Sequence, residues 1–219
     1  MMNFGVAALL FLPLAVSAQG DKPIIDNERV AVWDVTWTAN QPGFAVPGNY
    51  DAVTVYLAGG DFRTGTSSIV KRKTGEAVFR PRGTRPSETW VGSGTAPRTV
   101  EIELKERPLK ENGVVAPLPN TTGFPLAFPR PGSKKLIDNA RILVWDYTWQ
   151  PGVATPMHFH DKDVVVSYLK DGDLTSITPD GKSVVNPYRF GAIRFNLRDR
   201  THKEVLTRGE QRAIIVELK

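Results

Sequence analysis

From residue 24 onward, apolar and polar positions mostly alternate with a period of two. "RILVWDYTW" (residues 141–149) and "AIRFNL" (192–197) show the alternation, rich in β-branched and aromatic side chains. "VVVSYL" (164–169) and "AIIVEL" (213–218) are short apolar runs. Side chains two apart share one face of a strand, so this pattern predicts β-structure. "DGD" (171–173) and "PDG" (179–181) are turn signals between the runs. Stretches with a helical period are scarce. Many short strands at close spacing predict an all-β sandwich or barrel.

The pattern occurs twice. "IIDNERVAVWDVTW" (Ile24 to Trp37) returns as "LIDNARILVWDYTW" (Leu136 to Trp149), 112 positions later. "DAVTVYLAGGDF" (51–62) matches "DVVVSYLKDGDL" (163–174) in the same register. "RTVEIELK" (98–105) matches "RAIIVELK" (212–219), now 114 positions apart. Such agreement means one duplicated module of roughly 80 residues. The expected organisation is a leader at 1–18, a first module at 22–105, a proline-rich connection at 106–135 and a second module at 136–219. Proline blocks both helix and central strand, so the connection is extended. It carries Phe124, Leu126 and Phe128, which predicts that it lies against one or both modules.

With 41% hydrophobic residues, ten Phe and five Trp, the chain has material for packed cores. It contains no cysteine, so thiolate metal sites, iron–sulfur clusters and cysteine nucleophiles are excluded. The net charge of +5 is spread without a helical stripe or a nucleic-acid motif, so no nucleic-acid partner is expected. Residues 1–18 are uncharged, with an apolar run from Phe4 to Val16 and the small residues Val16-Ser17-Ala18 at its end. This reads as an export signal, giving a periplasmic or secreted protein with no membrane span after cleavage.

The chain has three histidines, and two of them stand in "PMHFHDKD" (156–163). On a strand, His158 and His160 project side by side, a spacing that lets two imidazoles share one divalent ion. His202 follows the alternating strand of residues 192–197. A jelly roll would bring it beside the other two. The first module has Val46, Gly48 and Glu88 at the three matching positions, so it has lost any such site. Asp34 and Asp146, like Trp33, Trp37, Trp145 and Trp149, recur in both copies. That points to structural roles for all six.

These residues make the second module resemble a cupin. Gly152, five residues, His158-x-His160 and a closing Gly172 follow the first motif of that family; Gly191 and His202 follow the second. With its duplication, the chain resembles a two-domain bicupin: two tandem jelly-roll β-barrels. The resemblance implies one divalent metal ion, Fe, Mn, Ni or Zn, held by His158, His160 and His202. In cupins a glutamate joins the histidines. Its place, counted back from Gly172, is Val165 here. Asp163 is the substitute carboxylate in reach if the strand continues without a bulge, although Asp51 occupies the matching place in a module without histidines. The second motif also lacks its proline and its asparagine.

Two functions stay open at this point. One is a metal-dependent, dioxygenase-like oxidoreductase acting on a small molecule. The other is a non-catalytic binding or structural bicupin. Cupins often pair through outer strands, so a homodimer is a further expectation.

Overall fold

The computed structural model describes residues 22–41, 43, 49–83, 88–105 and 120–219. The leader and the positions Val46 and Gly48 lie outside the described residues. The described chain is built from strands, as the period-two pattern predicts.

The first module contains β1 (Ile25–Asp26), β2 (Val30–Thr36), β3 (Asp51–Ala58), β4 (Gly60–Thr64), β5 (Val70–Arg72), β6 (Ala77–Arg80), β7 (Glu88–Trp90) and β8 (Arg98–Leu104). They form a five-stranded sheet, β1-β2-β8-β3-β6, and a three-stranded sheet, β5-β4-β7. After the connection come β9 (Lys134–Asp138), β10 (Ile142–Trp149), β11 (His158–His160), β12 (Asp163–Tyr168), β13 (Gly172–Ile177), β14 (Ser183–Tyr188), β15 (Ile193–Asn196), β16 (Arg200–Gly209) and β17 (Gln211–Leu218). They form a five-stranded sheet, β15-β12-β17-β10-β9, and a four-stranded sheet, β11-β16-β13-β14. All ladders between these strands are antiparallel.

The two five-stranded sheets are buried on both faces, and the alternation sorts their residues between two cores. On β10, Ile142 and Val144 enter the core between the modules, while Trp145, Tyr147 and Trp149 enter the second barrel. On β2, Val30 and Val32 face the other module, while Ala31, Trp33 and Val35 fill the first barrel. On β12, Val165 faces between the modules and Val164, Val166 and Tyr168 face into the barrel. This is sheet-on-sheet packing with each outer face also closed over its own barrel.

The repeated polar residues explain themselves at this contact. Asn27 Oδ1 accepts from the backbone N–H groups of Arg29 and Val30, and Asn139 Oδ1 does the same for Arg141 and Ile142. Each turn delivers its arginine to the opposite module. Arg29 meets Asp163 at 3.0 Å and Arg141 meets Asp51 at 3.5 Å. Asp34 and Asp146 bind Arg98 and Arg212 of the neighbouring strands, the structural role expected of them.

The described part of the proline-rich connection belongs to the second barrel. Phe159 N–H donates to Pro125 O and Ala127 N–H donates to Phe159 O, both within 2.9 Å. These bonds cover the outer edge of β11, which otherwise presents unpaired backbone groups. Phe128 is buried and stacks on Trp145, with ring centroids 5.3 Å apart. The first barrel is filled differently. Glu88, at the position matching His202, accepts from Arg72, Arg80 and the Tyr56 hydroxyl, each at 2.8 Å. Burial opposes the charge on Glu88, but the two guanidinium groups hold its carboxyl below the usual range.

Candidate metal centre

The site begins with strand pairing. β11 lies antiparallel to β16 with His158 directly opposite His202. His160, two residues along β11, shares the face of His158. All three rings are buried, and each can offer one nitrogen within 4.8 Å of the others. Ring centroids lie 4.8 to 5.1 Å apart. Among the described residues, this is the group whose geometry suits a metal ion.

The protonation of one ring follows from its neighbour. His158 Nδ1 lies 2.8 Å from Pro156 O. A carbonyl oxygen only accepts, so Nδ1 carries the proton and Nε2 keeps its lone pair. His158 Nε2 and His160 Nδ1 are both buried without a hydrogen-bond partner among the described residues. Buried polar atoms seldom go unsatisfied, and two on adjacent imidazoles fit a cation between the rings. Burial pushes the His158 pKa down to about 4, assisted by the positive charge of Arg130. Burial also drives His160 far below the ordinary imidazole value, with Arg200 adding to it, and lowers His202. Neutral imidazoles are the form that binds metals. The donor set and its protonation therefore fit a divalent ion.

Asp163 stands elsewhere, and the expectation of a fourth ligand there is corrected. The chain breaks between β11 and β12 at Asp161 and Lys162, and the two strands enter different sheets. Asp163 shares the face of Val165, away from the cavity. Its carboxylate is taken by Arg29 and by the backbone N–H of Arg198. Val165 itself, where motif spacing places the glutamate, lies between the modules; Val164 is the residue that lines the cavity.

The carboxylate near the imidazoles is Glu204, which the sequence reading missed. It follows His202 by two on β16, a same-face spacing that could have found it. Its Oε1 lies 3.9 Å from His202 Nε2. Trp149 Nε1 donates to its Oε2 at 3.1 Å, and Arg130 Nη2 lies 3.6 Å from the same oxygen. Burial works against its charge, but Arg130 overrides this and holds the carboxyl below its usual value. Trp149, expected to be core packing, is buried and also lines the cavity.

The imidazoles open into a cavity of about 440 Å³, a volume suited to a small molecule. Its walls combine Phe128, Val166 and a stacked Tyr168–Tyr188 pair, with centroids 3.9 Å apart. Arg200, Asn186 and Asn196 add polar groups. Gly172, the closing glycine of the first motif, sits where a Cβ would come within 2.6 Å of Glu210 O. That close approach lets β13 pass beside the end of β16.

No family model matches the sequence. Beta-alanine degradation protein BauB of Pseudomonas aeruginosa is 42% identical over 45 residues, covering 20% of this chain and 47% of that protein. The chain thus spans about half the length of that curated relative. Among solved structures, a cupin 2 conserved barrel domain protein from Leptotrichia buccalis superposes with a TM-score of 0.54 at 12% identity, over 90% of this chain and 87% of its own. Oxalate decarboxylase of Bacillus subtilis, a protein with Mn(II) centres, superposes with a TM-score of 0.56 at 13% identity, over 88% of this chain and 69% of its own. At these identities the likeness is one of fold.

Proposed function

We infer that, in this chain with a cupin-like fold, the second barrel binds one divalent metal ion through His158, His160 and His202 and presents it to a small molecule in the cavity. The observation that carries this reading is the convergence of three buried imidazoles, two of which have a ring nitrogen without a hydrogen-bond partner among the described residues. When bound, the ion supplies Lewis-acid polarisation of an oxygen on the small molecule. Pro156 O fixes the tautomer of His158, as partners behind a ligating imidazole do. Glu204 Oε1 is the group suited to hold or pass a proton beside His202. Trp149 and Arg130 fix that carboxylate and keep it ionised.

Manganese is the first ion to load, because the decarboxylase that shares the fold is described by its Mn(II) centres. The test is the metal content of the purified full chain after loading with manganese and desalting. One equivalent is expected, falling to a small fraction in His158→Ala with folding retained. A folded wild-type protein without stoichiometric metal overturns the reading.

The lack of a carboxylate at the usual ligand place favours a second reading, in which the barrel captures a ligand without transforming it. Oxygen uptake by the loaded protein with small phenolic or diketone substrates separates this from dioxygenase-like chemistry. Export belongs to the proposal as well. A secreted or periplasmic product beginning at Gln19 supports it, and retention of residues 1–18 contradicts it.

A further inference from the structure

β11 is the shortest strand of the second barrel, three residues at the edge of its sheet, and two of them are the histidines whose rings meet His202. One side of it is held by β16: His158 and His160 pair with His202 and Arg200, and His160 O accepts from Asp199 N–H at 2.8 Å. Phe159, between the two histidines, turns its backbone the other way. Its N–H donates to Pro125 O at 2.8 Å, its oxygen accepts from Ala127 N–H at 2.9 Å, and Leu126 bridges it in parallel. A strand this short, open along one side, would fray at little cost. The proline-rich connection closes that side.

The connection is itself pinned by its next residues. Phe128 stacks on Trp145, with ring centroids 5.3 Å apart, and meets Tyr147 edge-on at 6.1 Å. The Arg130 guanidinium lies over Tyr147 at 3.9 Å, and its Nη2 is 3.6 Å from Glu204 Oε2, two residues beyond His202 on β16. Residues 125–130 therefore touch both strands that carry the imidazoles. Pro125, Pro129 and Pro131 restrict the undocked chain, which lowers the entropy that docking must overcome.

We propose that residues 125–130 are a clamp on the His158–Phe159–His160 strand, with Phe128 as its positioning residue, and that the clamp sets the metal affinity of the second barrel. The proposal rests on the metal reading and deepens it. Two imidazoles grip one ion best when their strand is already held in place. The coupling runs both ways: if the docked connection raises metal affinity, the bound ion must hold the connection down by the same free energy. The connection thus does more than join the modules, because its docking and the occupancy of the site control each other.

Calorimetric titration of the full chain with Zn²⁺ reads the first direction. Removing the partner that orients a ligating group typically costs about 10–100-fold in metal affinity, and Phe128→Ala is expected to weaken Zn²⁺ by at least about tenfold. Asp163→Ala, whose stability loss should be comparable but whose side chain faces the other module, should bind Zn²⁺ as the wild type does. That pairing separates the clamp from general destabilisation. Amide hydrogen exchange of the wild-type chain, with and without Zn²⁺, reads the other direction and needs no variant. The amides of Phe159 and Ala127 should exchange about tenfold more slowly in the loaded protein. The amide of Thr122, which donates to Asn120 Oδ1 in the same connection outside the clamp, should not change. A wild type that binds Zn²⁺ with a Phe128→Ala variant that binds it equally well, or with unaltered exchange at Phe159 and Ala127, overturns this proposal and leaves the metal reading standing. A wild type that takes up no ion overturns both.

Discussion

Arg29 of the first module donates to Asp163 of the second at 3.0 Å, with both side chains buried. The mirrored pair, Arg141 and Asp51, spans 3.5 Å and is partly exposed. The duplication therefore contains its own interface: the same two positions of the module serve as donor and acceptor in opposite directions. Removing one partner of a buried pair leaves the other charge stranded, which costs about 3–5 kcal/mol. Asp163→Ala is expected to lose that much in denaturant unfolding while keeping its full metal content. Asp51→Ala should lose about 1 kcal/mol or less, because exposed pairs are screened.

Phe128 ties the connection to the second barrel. Truncating a buried phenylalanine costs about 3–5 kcal/mol. Phe128→Ala should show that loss in thermal or denaturant unfolding.

Glu88 of the first barrel neutralises two arginines at once. Glu88→Ala leaves Arg72 and Arg80 facing each other in a buried space, and a loss of about 3–5 kcal/mol is expected. Metal content should not change, because this cluster belongs to the other module. A variant with normal stability would contradict the structural role of the cluster.

Acid should destabilise the metal-free protein in a defined window. His158 titrates near 6.5 when unfolded and near 4 when folded, because burial disfavours its charged form. Between those values the unfolded chain binds the extra proton, so stability is full above about pH 6.5 and falls as the pH drops toward 4. A shift of this size is worth about 3 kcal/mol. His160 and His202, also lowered, act in the same direction. Glu204 adds to the loss at the acid end, since its depressed carboxyl contributes stability that disappears as it protonates. Urea unfolding at pH 7 and pH 4.5 measures the change, and His158→Ala should flatten part of it.

The duplication, the strand runs and the meeting of the three histidines were legible because each rests on a regular period or on two similar copies of a module. Asp163 misled because a period of two holds only within one strand. The break at Asp161 and Lys162 sends the next strand into another sheet and turns its aspartate toward the other module. Asp51 in the sister module carried the opposing signal, since a module without histidines had no use for a ligand there. Glu204 was within reach of the same period-two argument applied to His202. Arg130 was not legible: a proline-rich segment has no period from which a side chain's direction follows, and only the folded course of residues 125–130 along β11 brings it to the cavity.

The three histidines make the central claim directly observable. In protein labelled with ¹⁵N at histidine, each imidazole gives its own nitrogen signals, and a diamagnetic ion such as Zn²⁺ can be added stepwise. All three rings are predicted to shift together and saturate at one equivalent, with His158 Nδ1 remaining protonated against Pro156 O. Movement of only one or two rings, or continued change well beyond one equivalent, would contradict a single shared site.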